Sequence, residues 1–461
     1  VDAAVEFADR RVGLPELLRV VGAPHGFYEL GDGSYGMLPE AWAERLEALR
    51  QLGGDVTAAG AIAVPEQRML WLDALLDKHA ADFDVDPHVA KLRQRLREVG
   101  DLQPLAEPKG FQGQLRPYQQ SGLAWLAFLE EFGLGGCLAD EMGLGKTVQV
   151  LAHRVKHHGG RKKRPPSLLV APRSVLPNWL AECAKFAPGL RVVDFSTPDR
   201  WQAHTAAIER CDLMLTTYAM LRTDVPRMLE RGWRFSYAVL DEAQAAKNAD
   251  SQTSKAVRLL PSERRLAMTG TPVENHLGEL WTLFEFLNPG MLGKLGRFRE
   301  LFRGDLADES RTSTRELIQR SLRPVMLRRT KAQVLTDLPP RLETTLWCDL
   351  DDGARRRYDQ LRKYYREQLL VGDGDLRDKR IVVLQALLRL RQAACHEALL
   401  DPERSGEPGA KFEVLLPRLE ELAEEGRKAL VFSQFTSLLD LLEPELARRG
   451  IAFERLDGKT K

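Results

Sequence analysis

Residues 140–147 read DEMGLGKT, and their types and spacing suit a phosphate group. Gly143 and Gly145 permit positive φ and let backbone N–H groups come close to phosphate oxygens. Lys146 offers a point charge for the β- and γ-phosphates, and Thr147 a hydroxyl for Mg²⁺. Asp140 stands where the phosphate-loop pattern G-x-x-x-x-G-K-[ST] has its first Gly, so a surface glycine turn beside a lysine stays open on this stretch alone. Further along, Asp241-Glu242 ends an apolar run. One carboxylate there can hold Mg²⁺ through water, and the next can orient and deprotonate an attacking water. A capping pair before a helix is the alternative, since Asp is a good N-cap. The phosphate loop upstream favours the catalytic reading. Gln119 begins an amphipathic helix ahead of the loop; its amide suits the N6 and N7 edge of adenine, although an exposed helical glutamine is the simpler reading in isolation.

These groups need elements to position them. Cys137, Leu138 and Ala139 precede the loop, and Val148, Val150 and Leu151 follow it. That order predicts strand, loop and helix, with the positive end of the helix dipole at the phosphate. Apolar runs at 167–172, 213–215, 237–240 and 265–268 predict further strands, with helices between them. Such alternation predicts a parallel, doubly wound sheet. Each run ends in a polar cluster: Pro172-Arg173-Ser174, Thr216-Thr217-Tyr218, Asp241-Glu242 and Thr269-Gly270-Thr271. Open α/β sheets bind ligands at that edge.

The chain of 461 residues allows roughly two to four domains. Its net charge is +1, so a nucleic-acid site must come from local patches. The five cysteines form no C-x-x-C pair, which supports neither a zinc ribbon nor a disulfide framework and points to reduced, mostly buried thiols. No apolar run has membrane-span length, and the sequence from Val1 lacks a signal-peptide pattern. Residues 1–105 form a separate unit, helix-like at 70–76 and 89–99, with a hairpin around the turn Gly31-Asp32-Gly33. The basic stretch 161–164 reads as a solvated loop or a phosphate contact.

In order, the chain carries LRPYQQ, DEMGLGKT, LVAPRSVLPNW, TTYAML, VLDEAQAAKN, MTGTPVEN, LRRTK, LRQAACH, KALVFSQFT and RLDGKT. This series resembles the Swi/Snf-type ATPases of helicase superfamily II, which translocate on double-stranded DNA and remodel protein–DNA complexes. In that family Asp is usual at the position of Asp140. The resemblance implies an α/β fold: a P-loop RecA-like parallel-sheet lobe at 106–282, helical insertions at 283–345 and 346–405, and a partial second RecA-like lobe at 406–461. Residues 1–105 resemble, more weakly, the mostly helical accessory domain of bacterial members.

The resemblance also implies roles. Gln119 would read adenine; Gly143, Gly145, Lys146 and Thr147 would hold ATP and Mg²⁺; Asp241 would position Mg²⁺ and Glu242 would activate water. Gln244 and Thr269-Gly270-Thr271 would couple nucleotide state to lobe movement. Pro172, Arg173, Ser174, Asn178, Thr216, Thr217 and Tyr218 would lie near one DNA strand, and Ser433, Gln434 and Phe435 near the other side of the track. LRRTK would lie at the passage between lobes, where its arginines contact DNA or, preferably, brace the lobes. Residues 428–435 are expected as a buried strand opening the second lobe. No later motif carries finger arginines, so this chain is expected to bind ATP and DNA yet hydrolyse poorly. The expected protein is a monomer, cytoplasmic on the nucleoid if bacterial and nuclear if eukaryotic. Two rivals stand: a strand-separating helicase, and a non-catalytic module binding a protein such as RNA polymerase.

Overall fold

The computed structural model describes residues 102–159, 164–271, 277–301, 318–335, 342–371, 376–407 and 409–458, with three hairpins and a few single positions elsewhere. It divides into two compact units, Val1–Leu338 and Pro339–Lys461.

The described part of 1–101 contains antiparallel pairs β1 (Ala4–Phe7) with β2 (Arg10–Gly13), β3 (Phe27–Glu29) with β4 (Tyr35–Met37), and β5 (Asp55–Val56) with β6 (Ile62–Ala63). The β3–β4 ladder is the hairpin expected around Gly31-Asp32-Gly33. Leu70, Asp73, Gln94 and Leu96 are helical, and Leu70 and Leu96 are buried in the core of the first unit. The rest of the two expected helical stretches lies outside the described residues, as do Arg161, Lys162 and Lys163.

The first unit is built on a parallel sheet of β7 (Gly136–Leu138), β8 (Ser167–Ala171), β9 (Val192–Asp194), β10 (Leu213–Thr217), β11 (Phe235–Leu240), β12 (Ser262–Met268) and β13 (Met326–Leu327), in the spatial order β13-β7-β12-β11-β8-β10-β9. Strands β7, β8, β10 and β11 are buried along their whole length. A parallel sheet covered on both faces requires such continuous apolar runs, which is why these four show plainly in the sequence. Helices α1 (Pro117–Phe132), α2 (Lys146–His158), α3 (Leu176–Phe186), α4 (Tyr218–Glu230), α5 (Gln252–Arg258) and α6 (Leu277–Leu287) connect or flank the strands. Two edge strands depart from the expectation. Both β9 and β13 are short, and β13 comes from the stretch read as an insertion and passage. Its two residues pair with Cys137 and Leu138 of β7.

The end of the sheet away from the polar clusters holds a buried polar network. Glu130 on α1 receives His157 Nδ1 at 2.7 Å and His153 Nε2 at 3.0 Å. Arg154 stacks on Tyr237 at 3.5 Å and donates to Ser167 Oγ. Burial pushes the His153 imidazole down to about 3 and the His158 imidazole to about 4. Burial alone would raise the Glu130 carboxyl, but the bonds from His153 and His157 hold it well below the carboxylate range. Burial thus favours the neutral form of His153 and His157, which face one carboxylate.

In the second unit α7 (Asp352–Val371) packs along α8 (Leu376–Cys395). Helices α9 (Ala410–Glu424) and α10 (Thr436–Arg448) bury Phe412, Leu416, Leu419, Leu442 and Leu446 against each other. His396 is buried, accepts Ala398 N–H at Nδ1 and packs against Phe412. Residues 428–435 correct the expectation of a buried strand. They carry no ladder bonds, and Leu430 and Phe432 are 86% and 88% exposed. A strand exists only with a partner for its backbone, and the described residues of this unit provide none.

Glu130→Ala removes the acceptor for two buried imidazoles and should cost about 2–4 kcal/mol in chemical denaturation; an unchanged midpoint would refute the network's role. The pH dependence has a definite sign. The folded imidazoles are held neutral, whereas the unfolded ones protonate near 6.5. Their contribution is complete above that pH and should be lost as pH falls toward about 4.

Candidate active site

The polar strand ends meet along one edge of the sheet. Strand β7 delivers Ala139 and Asp140 to this edge, and both are fully buried. Gly143 and Gly145 have φ of 89° and 74°, as a loop with inward N–H groups requires. At Gly145 a Cβ would also lie 2.5 Å from Gln119 Nε2. Helix α2 starts at Lys146, so its dipole faces the loop. Lys146 Nζ donates to the Asp140 carbonyl at 2.7 Å. Burial lowers the Lys146 ammonium, against the pull of the Glu242, Asp140 and Asp241 carboxylates. A phosphate would give this ammonium a stronger partner than a carbonyl.

Gln119 leans on the loop. Its Oε1 accepts Arg116 N–H at 2.9 Å and its Nε2 donates to the Leu144 carbonyl at 3.2 Å.

Strand β11 ends in the carboxylate pair. Asp241 Oδ2 accepts the indole N–H of Trp179 at 2.7 Å, and Oδ1 accepts Glu242 N–H at 2.9 Å. Burial raises the Asp241 carboxyl and the Trp179 bond opposes it. Glu242 sits in the left-handed region, φ 47° and ψ 56°, the one described non-glycine residue with positive φ. Such strain concentrates at functional sites. Gln244 Nε2 donates to Glu242 Oε2 at 2.6 Å, Thr269 Oγ1 donates to Gln244 Oε1 at 3.0 Å, and Thr271 N–H donates to Thr269 Oγ1 at 3.1 Å. A Cβ on Gly270 would lie 3.3 Å from Met142 of the loop. The residues expected to couple nucleotide state therefore form a chain from Glu242 to the end of β12.

The donors fit Mg²⁺ by their chemistry. Thr147 and Asp241 supply hard oxygens, and a buried carboxyl pushed upward gains from a nearby cation. Glu182 on α3 belongs to the same neighbourhood. Burial raises its carboxyl, the Asn178 amide and the Thr147 hydroxyl lower it, and the Asp241 charge raises it. Its Oε2 is buried without a hydrogen-bond partner.

The expected DNA-facing residues divide. Arg173, Ser174 and Asn178 are exposed and Pro172 is half-buried. The parallel register that sets Thr217 beside Ala171 brings residues 216–218 next to them. The side chains of Thr216, Thr217 and Tyr218 are turned inward, against the expectation. Thr216 is fully buried, Thr217 Oγ1 accepts Met220 N–H to cap α4, and Tyr218 donates its hydroxyl to the Asp241 carbonyl at 2.8 Å. Strand β10, buried on both faces, has no outward side for the two threonine hydroxyls, and Tyr218 opens α4 with its ring buried. In the second unit Gln434 is exposed and bonds Arg391, while Ser433 Oγ accepts Phe435 N–H at 3.1 Å.

Sequence reasoning missed two residues here. Trp179 is fully buried and holds Asp241; its place in LPNWL on an amphipathic helix signals only a core aromatic. Arg329 of LRRTK has its partner within the first unit. Its guanidinium binds Asp140 from β7, with Nε to Oδ1 at 2.9 Å and Nη2 to Oδ2.

A family model described as the SNF2-related domain matches residues 118–399. A putative ATP-dependent helicase/translocase of Bacillus subtilis is 33% identical over 369 residues, covering 78% of this chain and 40% of the relative. An ISWI chromatin-remodelling complex ATPase of Arabidopsis thaliana is 35% identical over 375 residues, covering 78% of this chain and 34% of the relative. The solved SWI2/SNF2 ATPase core of Sulfolobus solfataricus in complex with dsDNA is 35% identical, covers 75% of this chain and 72% of that one, and has a TM-score of 0.47. The chain thus spans 40% or less of the length of these two curated relatives.

Trp179→Phe keeps a ring in the core but leaves Asp241 Oδ2 without its donor. It should cost roughly 1–3 kcal/mol in chemical denaturation. In an Asp241→Asn background the cost should shrink, and equal costs in both backgrounds would deny the coupling.

Proposed function

The chain belongs to the SNF2-related family, the Swi/Snf-type ATPases of helicase superfamily II, and from that premise we propose that it is the motor of an ATP-driven double-stranded-DNA translocase that remodels protein–DNA complexes. The observation that carries the reading is the shared sheet edge. It combines the glycine loop with Lys146, the pair Asp241-Glu242, and the hydrogen-bonded chain from Glu242 through Gln244 to Thr269.

The residues would act as follows. Loop N–H groups cradle the phosphates, and Lys146 moves from the Asp140 carbonyl onto them. Gln119 presents its amide to adenine. The Thr147 hydroxyl and Asp241 would hold Mg²⁺, which would supply charge neutralisation for the phosphates. Trp179 keeps the Asp241 carboxylate in one orientation. Glu242 orients the attacking water and takes its proton. When the γ-phosphate leaves, Glu242 loses its neighbour, and Gln244 and Thr269 relay that change to residues 269–271. DNA would run past Pro172, Arg173, Ser174 and Asn178, and past Ser433, Gln434 and Phe435 of the second unit. Contacts of this type fix register on phosphates without reading bases, so affinity depends on salt more than on sequence.

A strand-separating helicase would use the same ATP chemistry. The non-catalytic alternative is disfavoured because Lys146, Thr147, Asp241 and Glu242 are all present.

Lys146→Ala or Glu242→Gln in the protein carrying this chain should lower DNA-stimulated ATP turnover by at least about a hundredfold. Unchanged turnover in either would sink the assignment. Displacement of a triplex-forming strand without separation of duplex strands is the expected outcome for a translocase; duplex unwinding would favour the helicase.

A further inference from the structure

Asp140 departs from the general phosphate-loop pattern, and its backbone does not explain why. Among the described residues Glu242 is the one non-glycine with positive φ, so the conformation at 140 makes no demand for glycine. The side chain is the reason for the residue. It is fully buried, and it carries three donors from one arginine: Arg329 N–H and Nε to Oδ1 at 3.1 and 2.9 Å, and Nη2 to Oδ2. Gln149 on α2, itself fully buried, joins both partners. Its Nε2 donates to Asp140 Oδ2 at 3.3 Å and its Oε1 accepts Arg329 Nη2 at 2.8 Å. Arg329 Nη1 also donates to the Tyr118 carbonyl beside Gln119.

The backbone repeats the attachment. Ala139 N–H donates to the Leu327 carbonyl at 2.7 Å and Glu141 N–H to the Arg329 carbonyl at 2.9 Å. The ladder begun by β13 therefore continues alongside the first turn of the phosphate loop. Asp140 thus bears Lys146 on its carbonyl and Arg329 on its carboxylate. The residue that parks the phosphate-binding lysine is held by the stretch that leads toward the second unit.

We propose that Arg329 is a positioning residue for the phosphate loop, acting through Asp140, so that the segment carrying it sets how tightly the loop holds nucleotide. The inference rests on the ATP reading above and adds a regulator to that site. A buried ion pair alone would be a structural brace. The double attachment, by side chain to Asp140 and by backbone to Glu141, makes it a fastening of the loop itself.

Asp140→Gly separates the alternatives, because it restores the general loop pattern while leaving the half-buried Arg329 without its carboxylate partner. Titration with a fluorescent ADP and Mg²⁺ should show binding weaker by about tenfold or more, and the melting temperature should fall. Adding Arg329→Met removes the stranded charge. The melting temperature should then recover while affinity stays low, because the loop remains unfastened. Arg329→Lys, which keeps the charge but not the fork, should likewise lose affinity more than stability. Asp140→Gly binding as tightly as the parent would overturn the inference, as would affinity returning together with stability in the double variant. A parent chain that binds no nucleotide would instead overturn the ATP reading itself.

Discussion

A carboxylate taken out of water must be paired, and Asp140 is paired with an arginine 189 positions away. That requirement shapes the nucleotide side of the molecule. It brings residues 326–331 back to the first strand of the ATP fold and makes β13 the edge of the sheet. It places a guanidinium against the carbonyl of Tyr118 and the amide of Gln149, so helices α1 and α2 meet the loop at one point. Replacing either partner alone would leave a buried charge uncompensated, and the pair is fixed as a unit.

The same economy governs the candidate active-site edge. Asp241 has one oxygen on a tryptophan N–H and the other on the next backbone N–H. The lone pairs left over point to where a cation would be useful. Tyr218 props the same residue from its carbonyl. Glu242 is held in a strained backbone conformation by these neighbours and by Gln244. The low polarity of a fully buried sheet makes each of these bonds stronger than it would be in water, and makes each unpartnered group costly. At the opposite end of the sheet the Glu130 carboxylate is paired with His153 and His157.

Much of this was legible in the sequence. The apolar runs of β7, β8, β10, β11 and β12, the glycine loop, and the polar clusters at the strand ends follow from period, punctuation and residue type. These features are local, and a parallel sheet covered on both faces writes them as continuous apolar stretches. The short edge strands β9 and β13 were not legible, because two or three residues carry no period. The run at 428–435 misled for the converse reason: its residues suit a strand, but a strand is defined by its neighbours. The family resemblance set Thr216, Thr217 and Tyr218 near DNA, and the buried end of β10 and the start of α4 turned their side chains inward.

The sequence by itself determined the chemistry: a lysine and a threonine at the end of a glycine loop, a carboxylate pair at the end of an apolar run, and the order of motifs that marks the family. It also showed that Asp140 departs from the general phosphate-loop pattern. Only the tertiary structure decided why. Pairing between residues far apart in the chain leaves no local pattern, so neither Trp179 on Asp241 nor Arg329 on Asp140 is written in spacing. Both are set by which buried donor the fold brings to a carboxylate that cannot remain alone.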